Sequence, residues 1–255
     1  MTPRHSNLRA LVTFLTVTFA ATFVLHGAIA ALGLEFSLDL GQAAMHLYLI
    51  GLAMPAVAAV AIQRAGARLA FLRASLLTRI RWSTLTAALL AQPLIIFLAW
   101  AMTAATGPFE APRFNLSPGF ALIAAGQIWV VLGEELGWRG FALPRLLEVM
   151  DARFATLALA AIWGLWHAPM FFVVGSLQAD ASPWLFAASI FAWASIHTAL
   201  YLRERPSLLA NLVFHAAANL TLNLGLTNER LTPFLCAAYV FTGAATLFFL
   251  RRRAT

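Results

Sequence analysis

Eight apolar stretches dominate this chain, and their length is the feature that most restricts its fold. A helix needs about 20 apolar residues to cross the hydrocarbon core of a bilayer. Most of the stretches reach that length, although the second is short and the fourth carries charges, so seven or eight transmembrane helices are predicted. The stretches cover 9–33, 45–62, 83–107, 119–143, 154–175, 183–202, 207–226 and 231–250.

Composition supports an all-α polytopic membrane protein. The chain is 62% hydrophobic and 11% charged, against about 25% charged residues in ordinary soluble domains. We expect it to lie in the cytoplasmic membrane as a multi-pass protein, with the lipid bilayer as a partner. With no linker or repeat, residues 1–255 are predicted to form a single transmembrane domain. The lone Cys236 excludes an intramolecular disulfide and a cysteine-based metal site.

Arginine supplies all 17 basic residues, and its distribution predicts the topology. Basic residues near helix ends stay on the cytoplasmic side, so the net charge of +7 does not require nucleic acid. Arg113 and Arg230 lie in one set of alternate loops, and the other set holds the rest. This alternation predicts eight helices with both termini cytoplasmic and a retained first helix. The basic connection 64–81 fits an interfacial helix or a solvated loop.

The fourth stretch contains two adjacent carboxylates, Glu134 and Glu135, followed by Arg139. Ionisable groups at membrane depth cost several kcal/mol and usually mark functional sites. On a helix Glu135 and Arg139 share a face, whereas Glu134 points about 100° away from Glu135. We therefore expect Glu135 to pair with Arg139 and Glu134 to be free to act as a base. Pro144 is predicted to end this helix. A buried structural ion-pair network is the alternative.

Further polar residues occur in the fifth and seventh stretches. His167 is predicted near the middle of the fifth helix, where it is either functional or a packing histidine. His215 and Asn219 lie one turn apart on the seventh helix at a depth similar to that of Glu134. Their alternative is interhelical hydrogen bonding, which we prefer for Asn211 and Asn223. Three other histidines are interpreted as structural: His26, His46 and His197.

These residue types are those of a hydrolase that activates water. A glutamate and His167 can hold and deprotonate a water, while His215 and Asn219 donate hydrogen bonds to the oxyanion formed at an amide carbonyl. Glu134, His167 and His215 can also ligate zinc, as two histidines and a carboxylate with an open position. The residues leave metal-free and metal-assisted chemistry open. A proton-coupled transporter is a further alternative, since intramembrane Glu and His chains also relay protons.

The three motifs in this order resemble those of the CPBP family of intramembrane proteases, also called the Abi or CAAX-protease-like family. That family includes the type II CAAX prenyl endopeptidases. The resemblance covers the predicted catalytic core, about 119–225, and departs from the usual pattern at Trp163, where Phe is common. The motifs are Glu134-Glu135-Leu136-Gly137-Trp138-Arg139, Trp163-Gly164-Leu165-Trp166-His167 and His215-Ala216-Ala217-Ala218-Asn219.

The resemblance implies an intramembrane endopeptidase that cuts a peptide or protein substrate, with an active site expected to open to the cytoplasm. It implies that Glu134 and His167 activate the water, that His215 and Asn219 bind the oxyanion, and that Glu135 and Arg139 are supporting residues. No cofactor is required by this glutamate-type mechanism. A non-catalytic scaffold or immunity protein on the same fold is the remaining alternative. Nothing in the sequence indicates a prenyl-binding groove.

Overall fold

The computed structural model describes residues 3–39, 41–107, 118–224 and 229–250, and within these ranges it contains helices and no strands. The all-α prediction is confirmed. Short 3₁₀ turns cover Ala65–Ala67 and Ala168–Phe172, and a π-helical stretch covers Trp138–Ala142. The helices are α1 (Pro3–Ala31), α2 (Ala43–Ile62), α3 (Arg68–Leu76), α4 (Trp82–Ala104), α5 (Pro118–Gly137), α6 (Leu143–Leu147), α7 (Ala152–Trp166), α8 (Pro183–Glu204), α9 (Leu209–Asn223) and α10 (Thr232–Phe249).

Among the described residues, seven helical segments are long and apolar enough to cross a membrane. They correspond to seven of the eight predicted stretches. The remaining stretch, 207–226, forms α9, whose 15 residues extend about 22 Å at 1.5 Å per residue. That is less than the roughly 30 Å of a hydrocarbon core. The polytopic membrane fold is thus confirmed, with a short eighth helix that carries a polar stripe.

The basic connection after α2 contains the helix α3, the first of the two alternatives considered for it. Its carboxyl end is bonded to the corner between α8 and α9: the Leu208 amide donates to the Ser75 carbonyl at 2.7 Å, and the Ser207 hydroxyl donates to the Thr78 carbonyl at 3.2 Å. This attachment places the basic segment beside the start of α9. Its contact with the lipid surface stays a prediction, as does the cytoplasmic location of the termini.

The prediction that Pro144 ends the fourth helix is wrong. α5 continues through the π-helical stretch into α6, where Pro144 occupies the first turn. Pro144 comes just after this π-helical stretch, and the proline removes its own N–H from the helical hydrogen bonds without ending the helix. The wider π turn, closed by the Leu143 amide on the Trp138 carbonyl, separates the two α-helical segments. Stretches of π-helix are rare and often occur at functional sites, and this one contains Arg139.

Close packing of α5 on α2 fixes the position of the two carboxylates. A Cβ at Gly133 would lie 2.8 Å from the Leu52 carbonyl oxygen, and one at Gly137 would lie 2.7 Å from the Pro55 carbonyl carbon. These glycines allow the two backbones to touch, as small residues commonly do between transmembrane helices. Since Glu134 and Glu135 lie between them, the same contact holds both carboxylates against the interior.

Replacement of Gly137 by alanine is therefore expected to destabilise the protein. The added methyl group meets the backbone of α2, and overpacking of this kind costs about 1–3 kcal/mol. Thermal unfolding in detergent should show a lower midpoint for this variant. Gly126→Ala on the same helix is the matched control, because a Cβ there would meet nothing within 4 Å. An equal loss of stability in both variants would contradict the close α2–α5 contact.

Candidate active site

Glu134 and Glu135 are adjacent on α5, and their carboxylates have different partners. Glu135 Oε1 accepts a hydrogen bond from Arg139 Nη1 at 2.8 Å, and both side chains are fully buried. The predicted pair is therefore present. Glu134 Oε2 accepts from Trp163 Nε1 on α7 at 2.7 Å. Because this bond uses one carboxylate oxygen, the other is left for a further ligand.

Glu135 is the centre of a buried polar cluster. Its Oε1 also accepts a hydrogen bond from His215 Nδ1 at 2.7 Å, and its Oε2 lies 3.5 Å from His197 Nδ1. The guanidinium of Arg139 lies over the ring of Trp163, 4.1 Å from its centroid, a cation–π geometry. His197 Nδ1 accepts a hydrogen bond from Asn211 Nδ2, so the buried carboxylate is stabilised by Arg139 and His215. Glu135 thus connects α5 to α9 through side chains.

His167 was predicted near the middle of a helix, but the structure places it at a helix end. It caps the carboxyl end of α7, where the chain changes to the 3₁₀ turn before α8. Its Nδ1 lies 2.7 Å from the Trp163 carbonyl oxygen. A carbonyl only accepts hydrogen bonds, so Nδ1 carries the proton and Nε2 of the neutral ring is an acceptor. Because Pro169 cannot continue an α-helix, the helix ends where His167 is placed.

His215 and Asn219 occupy successive turns of α9, as predicted. The bond from His215 Nδ1 to Glu135 leaves Nε2 of the ring free of that contact. Asn219 Nδ2 donates to Gln127 Oε1 on α5 at 2.8 Å. A carboxamide nitrogen carries two hydrogens, so Asn219 retains a second donor. Gln127 lies two turns before Glu134 on the same face of α5 and orients this amide.

One cavity of about 450 Å³ brings the four predicted catalytic residues together. This volume falls within the range of about 300–1,000 Å³ typical of small-molecule sites. Much of the remaining lining is apolar, including Leu52, Val130 and Phe186. Three of the polar residues are almost completely buried, with exposures of 3% for Glu134, 6% for His167 and 2% for His215. The lining includes Glu134, His167, His215 and Asn219.

The predicted zinc ligands are not gathered closely enough to share an ion. Ligand atoms about 2.1 Å from zinc are at most about 4.2 Å apart. Among the described residues, one group of three potential ligands has its atoms within 4.8 Å of one another: Glu135, His197 and His215. In that group the carboxylate already binds the Arg139 guanidinium, whose positive charge opposes a second cation. The close group therefore contains an ion pair in addition to its three potential ligands.

Three residues that complete the site carry little signal in the sequence. Trp163 appeared only as a motif aromatic, yet its indole N–H holds Glu134. Gln127 could have been noticed because it lies seven residues before Glu134, on one helical face. His197 is a buried structural histidine, as interpreted, bonded by Asn211 through both its ring and its backbone carbonyl. Its proximity to Glu135 depends on tertiary packing.

Asn211 thus forms the predicted interhelical bond, whereas Asn223 bonds within its own helix to the Asn219 carbonyl.

Comparison with known proteins finds similarity for the central part of the chain. Residues 115–221 match the model of a family described as Type II CAAX prenyl endopeptidase Rce1-like. A curated relative, CAAX prenyl protease 2 of Methanococcus maripaludis, is 32% identical over 117 residues. That alignment covers 44% of this chain and 43% of the relative, so it spans less than half of either protein.

The matched segment, 115–221, coincides with the part of the structure that carries the polar site. It begins just before α5 and ends within α9, so it contains both the carboxylate pair and the two histidine motifs. Helices α1, α2, α4 and α10 lie outside the segment, although α2 and α10 contribute Tyr48 and Tyr239 to the cavity. The family match and the cavity therefore identify the same region of the chain.

Proposed function

We propose that this protein is an intramembrane endopeptidase that hydrolyses a peptide bond with a water activated by Glu134 and His167. The observation that carries the proposal is the cavity shared by Glu134, His167, His215 and Asn219, which come from three separate helices. Residues that act as base, acceptor and oxyanion donors must converge on one reacting group. The family match supports a protease on independent grounds.

In this proposal Glu134 is the general base. Trp163 fixes one carboxylate oxygen, and the second oxygen takes a proton from the attacking water. His167 Nε2 accepts the other hydrogen of that water, because its Nδ1–H is directed to the Trp163 carbonyl. Trp163 thereby orients both groups, one through its indole N–H and one through its backbone. The oriented water attacks the amide carbonyl, and Glu134 then delivers the proton to the leaving amine.

His215 and Asn219 are proposed to stabilise the oxyanion. Asn219 has a second amide hydrogen beyond the one directed to Gln127, and this hydrogen serves as one donor. His215 donates from Nε2 as an imidazolium, whose charge Glu135 balances through Nδ1. Glu135 and Arg139 hold this histidine rather than touch the substrate. Donors of this kind, fixed before the reaction, contribute about 3–4 kcal/mol each to the transition state.

The substrate is proposed to be a peptide or protein with an apolar group beside the scissile bond. Leucine, isoleucine and aromatic side chains cover much of the cavity wall around the polar residues. The relative is named as a CAAX prenyl protease, and a prenyl chain is one apolar group of suitable character. An unmodified apolar residue is the other, and the identity of trapped substrates distinguishes the two.

Substrate trapping tests the proposed function. Membranes containing the wild-type protein or Glu134→Gln are compared by mass spectrometry for proteins retained by the variant and for new chain ends made by the wild type. We expect retained proteins whose new ends are absent with the variant. An identical set of chain ends with both proteins would overturn the protease. Uptake activity in liposomes would favour the transporter, and rescue of a deletion phenotype by the variant would favour a scaffold.

Chelation tests the proposed glutamate-type mechanism. Since the proposed mechanism requires no metal, cleavage of a trapped substrate in detergent is expected to proceed at an unchanged rate after dialysis against EDTA or 1,10-phenanthroline. Cleavage is measured by mass spectrometry of the products. A loss of activity that zinc restores would show instead that a metal supplies the Lewis acid, and the residues would then be assigned as its ligands.

A further inference from the structure

The two ends of the helical bundle can be told apart by contacts between loops. At one end, Asn7 near the start of α1 donates to Glu148 after α6 at 2.7 Å, and Arg81 before α4 pairs with Glu204 at the end of α8 at 2.8 Å. At the same end Arg153 donates to the Leu250 carbonyl at 3.1 Å. These contacts join the start of α1, α4 and α7 to the end of α6, α8 and α10.

The opposite end is held by a second set of contacts. The Phe36 amide, after α1, donates to the Val174 carbonyl, after α7, at 2.8 Å. The Tyr48 hydroxyl near the start of α2 donates to Gln178 before α8 at 3.2 Å. These contacts assign the joined connections to one end or the other, with α2 and α8 starting where α1 and α7 finish.

The arginines divide unequally between these ends. Among the described residues, the second end carries Arg230, together with the carboxylates Glu35, Asp39, Asp180 and Glu229. The first end is arginine-rich, and basic residues flanking transmembrane helices are retained on the cytoplasmic side. They are also attracted to the anionic cytoplasmic leaflet, by about 1 kcal/mol each. The arginines of the first end are Arg9, Arg64, Arg68, Arg73, Arg79, Arg81, Arg145, Arg153, Arg203 and Arg205.

The active-site cavity extends from Glu134 to the arginine-poor end. Its outer lining comes from the two loops joined there, 36–38 and 175–181. Leu38 and Leu177 in these loops are 40% and 63% exposed, so this is the mouth. Towards the arginine-rich end, the turn after Glu134 is closed by Trp138 and Phe141, which are completely buried. The structure therefore does not allow both an arginine-rich cytoplasmic face and a site that opens on that face.

We infer that the site opens on the extracytoplasmic side, and that its substrate is a peptide segment already carried across the membrane. The statement about the substrate rests on the proposed function. The direction of the opening rests on the cavity and the arginines alone. It replaces the expectation of a cytoplasmic opening. A secreted chain or the external segment of a membrane-anchored protein is then the substrate class. A cytosolic carboxyl terminus would not reach Glu134.

Two exposed leucines provide a matched test. Leu177 lies at the cavity mouth and is 63% exposed, while Leu77 follows α3 at the arginine-rich end and is 75% exposed. Each is replaced by cysteine in the full chain after Cys236→Ala has removed the native thiol. Intact spheroplasts of a bacterial host are treated with a membrane-impermeant sulfonated maleimide, and the protein is then purified and its labelling quantified. Both cysteines must label equally in detergent, which confirms that each variant is reactive.

Strong labelling of Leu177→Cys in intact spheroplasts, with Leu77→Cys labelled only after permeabilisation, is the expected result. The reverse pattern would overturn the inference and restore a cytoplasmic site. Labelling of both cysteines in intact spheroplasts would also overturn it, since it would show a mixed orientation. The measurement needs no substrate or activity. If substrate trapping fails but the labelling is as expected, the protease is rejected and the orientation is kept. If trapping succeeds but the labelling is reversed, the orientation alone is rejected.

Discussion

Glu134→Gln is expected to lower the rate of peptide cleavage by about 10²–10⁴-fold, the range by which a positioned general base accelerates a reaction. Glutamine keeps the size of the side chain and can still accept from the Trp163 indole, so the fold should persist. It cannot take the proton of the attacking water. Single-turnover cleavage of a trapped substrate in detergent measures the effect, and the thermal unfolding midpoint of the variant checks that it is folded.

Glu148→Gln is the matched control for this substitution. Glu148 follows α6, is exposed and is bonded to Asn7, so its loss should leave cleavage unchanged. His167→Ala should lower the rate in the same way as Glu134→Gln, because the water loses its second acceptor. Unchanged turnover in a folded Glu134→Gln protein would remove Glu134 from the mechanism and leave the polar cluster as a structural network.

Arg139→Met is expected to destabilise the protein by about 3–5 kcal/mol, the cost of leaving a buried charge without its partner. The guanidinium lies 2.8 Å from Glu135 and over the Trp163 ring, with no exposure of either ion-pair side chain. Its removal leaves the Glu135 carboxylate with the hydrogen bond from His215. The free energy of unfolding is measured by SDS titration in mixed micelles, and cleavage should fall with it because Glu135, the counterion of His215, is no longer held by Arg139.

Arg81→Met provides the comparison. Arg81 makes an ion pair of the same length with Glu204, but its side chain is 57% exposed, and exposed pairs contribute about 1 kcal/mol or less. We therefore expect a small loss of stability for this variant. If both substitutions lower the free energy of unfolding equally, the buried Glu135–Arg139 pair would contribute no more to stability than an exposed pair.

Local patterns in the sequence were sufficient to predict the helices and the Glu135–Arg139 pair. Apolar length predicted the spans because a bilayer imposes one length on all of them. The pairing of Glu135 with Arg139 followed from helical periodicity within a single segment. Likewise, the common depth of Glu134, His215 and Asn219 could be estimated from the rise per residue, and these residues do line one cavity.

Features that depend on packing between helices could not be predicted. The contacts of Gln127 with Asn219 and of His197 with Glu135 join different helices, and neither has a spacing that marks it. The continuation past Pro144 depends on a π-helical stretch that no periodicity indicates. Loop charges predicted which end is cytoplasmic, but only the joined loops 36–38 and 175–181 reveal at which end the cavity opens.

A single turnover in ¹⁸O-labelled water tests the central claim most directly. The purified protein in excess cleaves a trapped substrate, and mass spectrometry follows both the product and the enzyme peptide that contains Glu134. If Glu134 activates a water that attacks the peptide carbonyl, one ¹⁸O atom enters the new carboxyl terminus of the product and none enters the enzyme. Label in the Glu134 carboxylate would show that this residue attacks the substrate itself, and would contradict the account.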